Sequence, residues 1–421
     1  MIFAKRVALV AITAALCIIY FQLKNRDYSS TLQSLSQSVG LGELVDDGQE
    51  DTRPPVNKQQ HSQPTQPQAP SNGITTSFTG LHLPPSTFRP PNSTYTRAVI
   101  MGHLTIENTT FLSLAPPDIQ QYIYIVDDLS APLHTPMNKG HEAMVYLTYI
   151  LDHYDSLPDI NIFMHAHQRA WHTPELLNHE ATEVLKRLSS ERVWREGYMN
   201  LRCHWDPGCP ERIYPGRSYR ENTKAEEVAV ARAWAEMFPG VSIPDALGAP
   251  CCAQFAVSSD RITNIPRENF ERYRNWLIRT KESDWVSGRV FEYIWQVIFT
   301  GEPKVCPDSR ACYCDGYGIC FTTHEAFEEW FGLHHRWGDA MKELDEWEQK
   351  AKIIDQVKDW TKIEQKKVEI PVPGKNWELK EEIDRSLQTL IDMRVEAIRN
   401  GTDPEVRASV AGRSWKLGDG Y

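Results

Sequence analysis

Between Gln121 and Met164 the hydrophobic period changes twice, and that switch restricts the fold more than any other stretch. "QYIYIVDD" (Gln121–Asp128) is dense in β-branched and aromatic residues and predicts a strand. From His141, "HEAMVYLTYILDHYD" spaces Ala143, Tyr146, Leu147, Ile150, Leu151 and Tyr154 at intervals of three and four, the period of an amphipathic helix. Leu157-Pro158-Asp159 breaks it, and "INIFM" (Ile160–Met164) is a short apolar run suited to a buried strand. Strand, helix and strand make a βαβ unit, which predicts parallel pairing of the two strands.

That unit gathers polar residues that are far apart in the chain. Asp127 and Asp128 end the first strand; Asn138, Lys139, Gly140, His141 and Glu142 begin the helix; His165 and His167 end the second strand. All three groups fall at the C-terminal edge of a parallel sheet, where open α/β folds bind ligands. His165 and His167 are two residues apart and share a face if the strand persists. They suit a metal pair with His172 or Asp127 as third ligand, or proton-carrying imidazoles, or a hydrogen-bonded strand end. Asn138-Lys139-Gly140 precedes a helix N-terminus whose free N–H groups, with Lys139, suit a phosphate. The plainer alternative is a cap with Glu142 on the helix dipole. Asp127 and Asp128 suit a cation or a ribose, or a solvated turn. Trp171, beside the same edge, is a candidate for stacking on a sugar ring.

Around this unit, "RAVIMGHL" (Arg97–Leu104) predicts another strand and "CCAQFAVSSDRI" (Cys251–Ile262) a second buried one. A helix over Arg267–Arg279 presents Phe270, Tyr273, Trp276 and Leu277; "SGRVFEYIWQVIF" carries Val290, Phe291, Ile294, Trp295 and Ile298 on one face. Glu292 lies one residue off that stripe. "RCHWDPGCPERIYPG" reads as a loop that a Cys203–Cys209 bridge would close. Beyond Phe327 the chain is charged and helical in pattern, interrupted at Ile370–Asn376.

The N-terminus predicts a compartment. Lys5 and Arg6 precede an apolar segment, Val7–Leu23, followed by Lys24 and Arg26. A membrane span needs about 17–25 residues. No small-residue cleavage site closes the segment, so it reads as an uncleaved signal anchor with a cytoplasmic N-terminus. The organisation predicted is a cytoplasmic tail (1–6), a transmembrane helix (7–23), a Ser/Gln/Pro-rich disordered stem (24–95), a lumenal α/β domain (96–325) and a charged helical region (326–421). Eight cysteines lie beyond the anchor: Cys203, Cys209, Cys251, Cys252, Cys306, Cys312, Cys314 and Cys320. In a secretory compartment they read as disulfides rather than zinc ligands, with pairing left open. Asn92, Asn108 and Asn400 head glycosylation sequons. The net charge of -11 and the lack of a basic cluster argue against a nucleic-acid partner. These features predict a single-pass protein of the Golgi or endoplasmic reticulum.

"NKGHEAMVYLTYILDHYDSLPDINIFMHAH" followed by "WH", then "CAQFAVSSDRI" and "GRVFEYIWQVIF", resembles an uncharacterised, mainly fungal family that carries a domain of unknown function, often behind one membrane anchor. The likeness is sharpest at the N-K-G-x-E-A helix start, although many members have Arg where this chain has His141. More distantly, the order of elements is similar to GT-A glycosyltransferases. That resemblance implies a mixed, mainly parallel α/β sheet with flanking helices and transfer of sugar from a nucleotide sugar to a glycan or glycoprotein. It implies donor contacts from Asp127, Asp128, Asn138, Lys139, Gly140 and Glu142, with His165, His167 and Glu292 at the reacting centre and Glu292 as the acceptor base. In that family an Asp-x-Asp holds Mn2+ after the later buried strand; here His165-Ala166-His167 stands in its place, and imidazole is a poorer partner for Mn2+. Two rival expectations are a metal-dependent hydrolase built on His165, His167 and His172, and a tethered glycan-binding protein without catalysis.

Overall fold

A computed structural model describes residues 83–217, 224–356 and 369–417. The expected anchor at Val7–Leu23 and most of the stem lie outside them. No helix among the described residues is long and apolar enough to cross a membrane.

In chain order the elements are β1 (Arg97–His103), β2 (Ile119–Ile125), α1 (Glu142–His153), β3 (Ile160–Phe163), α2 (Ala181–Arg187), α3 (Ser190–Glu196), β4 (Tyr198–Asn200), α4 (Ala225–Met237) and β5 (Phe255–Ser258). There follow α5 (Ser259–Thr263), α6 (Arg267–Arg279), α7 (Asp284–Glu292), α8 (Trp295–Thr300), α9 (Ser309–Tyr317), α10 (His324–Asp355), α11 (Lys375–Asn400) and α12 (Pro404–Val410). The sheet order is β2-β1-β3-β5-β4. β1 pairs in parallel with β2 and with β3, and β5 runs antiparallel to both of its neighbours. The sheet is therefore mixed, as expected, with two parallel and two antiparallel pairings.

The predicted pairing within the βαβ unit needs one correction. Both of its strands are parallel, but β1 sits between them. Burial explains the order. Ala98, Val99, Ile100 and Met101 of β1 are wholly buried, whereas Gln120 and Gln121 of β2 are exposed and suit a sheet edge. Of the predicted strand Cys251–Ile262, only Phe255–Ser258 is extended. Ser258 then caps α5 by accepting from the Arg261 N–H at 3.1 Å.

Alternate residues of each strand feed two apolar layers. One face packs Ile100, Phe163, Phe255 and Val257 against α1, α4, α6, α7 and α8. The other packs Met101, Ile162, Met164 and Ala256 against α2, α3, α9, α10 and α11. The charged C-terminal helices contribute Phe327, Trp330, Leu390 and Ala397 to that second layer. Residues 83–95, expected to belong to a structureless stem, run against the folded domain. Trp194 Nε1 donates to the Thr87 carbonyl at 2.7 Å, and Arg89 lies over the Trp194 ring at 3.8 Å.

Every described cysteine is bridged: Cys203–Cys312, Cys209–Cys306, Cys251–Cys252 and Cys314–Cys320. The expected Cys203–Cys209 closure is wrong. Each of those residues instead ties the 201–216 loop to the segment around α9, and such long closures remove more chain entropy than a local one.

Candidate functional site

The parallel strands deliver their C-terminal ends to one edge, and β5 enters from that same edge. Glu142 opens α1 there, His165 follows β3, and the loop Pro250–Gln254 leads into β5. Gln254 Oε1 accepts the His165 N–H at 3.1 Å, which couples that loop to the end of β3. Asn200 Nδ2, at the end of β4, donates to the Pro250 carbonyl at 2.7 Å.

His165 Nε2 stands 4.0 Å from Glu142 Oε2, and both side chains are largely buried. Loss of water pushes the Glu142 carboxyl up to about 8, with the nearby charges of Glu292 and Asp284 adding to the rise and Arg289 and its own backbone N–H opposing it. Glu292 is held differently. One carboxylate oxygen accepts the Cys252 N–H at 3.0 Å, and the other pairs with Arg289 Nη1 at 2.6 Å. Arg289 also donates to the Tyr293 hydroxyl at 2.9 Å and faces Glu226 at 3.7 Å. Two carboxyls near one another thus have unlike environments, one desolvated and the other held by a guanidinium and a backbone N–H.

Beside Glu292 and Arg289 lies a pocket of about 160 Å³, lined also by Trp171, Arg212, Tyr293 and the Cys251–Cys252 disulfide. Pockets for drug-sized ligands run to about 300–1,000 Å³, so this one suits a single ring. Arg202 covers Trp171, its guanidinium 5.0 Å from the ring centroid and Nη1 donating to the Trp171 carbonyl at 3.0 Å.

Other predicted residues have different work. The turn before α1, read as either a phosphate site or a plain cap, has its free N–H groups taken by the chain itself: Asp284 of α7 accepts the N–H of Gly140 and of His141. Lys139 Nζ donates to the Thr280 carbonyl. Gly140 sits at φ +73°, and a Cβ there would meet the Leu277 side chain at 2.5 Å, so this position needs glycine. Asn138 is exposed. Asp127 accepts the Thr105 N–H and hydroxyl, both at 2.9 Å. Those bonds outweigh partial desolvation and hold its carboxyl below the usual range. Asp128 is lowered by the Ser130 hydroxyl and N–H.

The histidine cluster is assembled only in part. β3 ends at Phe163, so the strand geometry expected of His165 and His167 does not extend to them. Their ring centroids are 6.2 Å apart, while His172 lies 4.8 Å from His165. His172 is buried, and burial with its histidine and arginine neighbours pulls it down to about 2. Among the described residues no group of three or more His, Cys, Asp or Glu is arranged to hold a metal ion. Asn92 and Asn108 are exposed, whereas the Asn400 amide donates to the Cys320 carbonyl at 3.3 Å.

Sequence reasoning missed Arg289, Gln254 and the adjacent-cysteine bridge as parts of the site. The Cys251-Cys252 pair was the one visible signal, a doublet in a chain where all eight described cysteines are bridged. A family model described as Protein of unknown function (DUF3431) matches residues 99–315. That span is more than half of the chain and runs from within β1 into α9, so it contains the other four strands whole and every residue of the edge site. No curated protein and no solved structure matches the chain.

Proposed function

The chain belongs to the DUF3431 family, and we propose that it is a glycosyltransferase, moving a sugar from a nucleotide sugar to a hydroxyl of a glycan or glycoprotein. The observation that carries this reading is that the Glu142–His165 pair at the sheet edge lies within electrostatic reach of Glu292 and Arg289, which themselves line a ring-sized pocket. The His165–Glu142 pair handles the proton. Its imidazole takes the proton of the acceptor hydroxyl as the new C–O bond forms, and the bond to the nucleoside diphosphate breaks with its electron pair leaving on the phosphate oxygen. Glu142, neutral near pH 7, leaves the imidazole without a carboxylate competing for its proton. Glu292, fixed by Arg289 and the Cys252 N–H, is a positioning residue in place of the expected base.

Among the described residues no group of three or more His, Cys, Asp or Glu is arranged to hold a divalent cation such as Mn2+, which the His-x-His in place of Asp-x-Asp already disfavoured. Four disulfides support an oxidising compartment, in line with a single-pass secretory-pathway protein whose C-terminal domain is lumenal.

The test is a thermal-shift screen of the full chain against nucleotide sugars, with and without Mn2+, followed by transfer assays on the hit. At least one nucleotide sugar raises the melting temperature by mass action. His165→Ala then lowers transfer by roughly 10²–10⁴-fold, the usual worth of a proton-transfer group. A chain that binds glycans but no nucleotide sugar is a non-catalytic binder, and the transferase reading is lost.

A further inference from the structure

The bond between adjacent Cys251 and Cys252 closes a small ring across a single peptide unit. It is not needed to tie distant parts of the fold together, as the Cys203–Cys312 and Cys209–Cys306 bridges do. The backbone around it is unusual: Cys252 has φ 82° and Ala253 φ 49°, left-handed conformations that non-glycine residues rarely adopt. Such conformations cluster at ligand-holding sites, where surrounding bonds over-determine them. Here those bonds are known. The Cys252 N–H is held by Glu292, the Pro250 carbonyl by Asn200, and Gln254 by the His165 N–H. The disulfide lines the pocket together with Trp171. Both bridged cysteines line it, and a disulfide carries no N–H or O–H donor, while Arg212 and Glu292 supply polar groups on the pocket wall. That combination matches one chemical class, a saturated ring with an apolar face and hydroxyls at its rim.

We propose that the Cys251–Cys252 disulfide and Trp171 form a subsite that holds a single pyranose ring of the acceptor, with the ring's apolar face on the disulfide and its hydroxyls toward Arg212 and Glu292. The class of ligand rests on the glycosyl-transfer reading; the subsite rests on the pocket. Rigidity is what the bridge adds, because two separate thiol side chains would sample several rotamers and offer polar S–H groups to the ring.

The experiment titrates the oxidised full chain with methyl pyranosides of glucose, galactose and mannose, following tryptophan fluorescence and ligand-observed NMR, with no nucleotide present. At least one pyranoside binds, and Trp171→Ala and the double variant Cys251→Ala/Cys252→Ala each weaken it by about tenfold or more. Circular dichroism and the melting curve identify a double variant that has not folded, in which case Trp171→Ala and Arg212→Ala decide the matter by the same tenfold criterion. Absence of pyranoside binding to the wild-type chain overturns the subsite, as does binding that both Trp171→Ala and the folded disulfide variant leave intact. The two readings fail separately. Nucleotide-sugar binding without pyranoside binding sinks the subsite alone, and pyranoside binding that depends on the disulfide without any nucleotide-sugar binding sinks the transferase alone.

Discussion

Two clusters of buried ionisable groups lie on opposite layers of the sheet, and they are finished to different degrees. On the α9 side, Asp315 is almost fully enclosed and meets Arg195 at 2.5 Å, Arg413 at 2.9 Å and Arg192 at 3.8 Å. Its backbone carbonyl takes a further bond from Arg407 at 2.6 Å. On the α1 side, Glu142 sits 4.0 Å from an imidazole, and burial drives it toward its neutral form. A buried acid surrounded by guanidinium groups is committed to structure. A buried acid that keeps its proton is available for chemistry.

The sharpest way to break this contrast is Asp315→Ala. It strands Arg192, Arg195 and Arg413 around a cavity and unpins α3 from the segment after α12. Removing one partner of a buried ionic network costs about 3–5 kcal/mol. The measurement is urea unfolding of the full chain, and pyranoside or nucleotide-sugar affinity of the variant below its melting point is unchanged. A stability loss no larger than that of an exposed ion pair would put Asp315 in the same class as the surface and dissolve the comparison.

The difference between the clusters also marks what could be read in advance. Local period revealed β1, β3, α1 and the buried face of α6, where Phe270, Tyr273, Trp276 and Leu277 are all buried as expected. It also put Glu142 and His165 on one edge, because strand direction in a βαβ unit follows from chirality. It could not place β1 between the two strands of that unit, since strand order depends on contacts far apart in the chain. Nor could it join Asp284 to Gly140, 144 residues away. Eight cysteines allow 105 pairings, and nothing local selects among them. The apolar stripe over Val290–Ile298 hid a break at Tyr293-Ile294 between α7 and α8, where Glu292 turns to meet Cys252 and Arg289. The groups that were placed correctly are those fixed by neighbours in sequence, and those misread take their role from a distant partner.

The second test concerns pH. An acid whose folded-state pKa is raised holds its proton more tightly in the native chain than in the unfolded one. Its stabilising contribution is therefore complete below about 4.5 and is lost as pH climbs through about 8. The loss is roughly 3 kcal/mol, discounted from the full shift because 19% of the side chain reaches solvent. Glu142→Gln keeps a neutral side chain of the same shape, so its stability curve between pH 5 and pH 8.5 is flatter than the wild type's by about that amount. His172 acts in the opposite direction, since a depressed imidazole gives stability that is present above about 6.5 and lost on acidification. The alkaline slope therefore isolates Glu142. Parallel curves for wild type and Glu142→Gln would show that this acid ionises normally, and the proton-handling pair would lose its basis.

The smallest effect is expected at Asp127, and it is the most informative about the edge itself. The GT-A resemblance implied a donor contact for this residue. Its two oxygens are already taken by the N–H and hydroxyl of Thr105, which close the turns after β1 and β2 against each other. A carboxylate that is exposed and fully hydrogen-bonded by its own chain gains little from a ligand and gives up its existing bonds to take one. Asp127→Asn should therefore leave nucleotide-sugar affinity unchanged and shift the melting temperature only slightly. The change should be smaller than at Asp315 or Glu142, and stability should become less sensitive to acid because the lowered carboxyl is gone. A fall in nucleotide-sugar affinity of about tenfold or more would mean that Thr105 yields the carboxylate to the ligand. The proposed site would then extend from β3 across to β2, and the line between structural and ligand-binding acids would run through Asp127 instead of beside it.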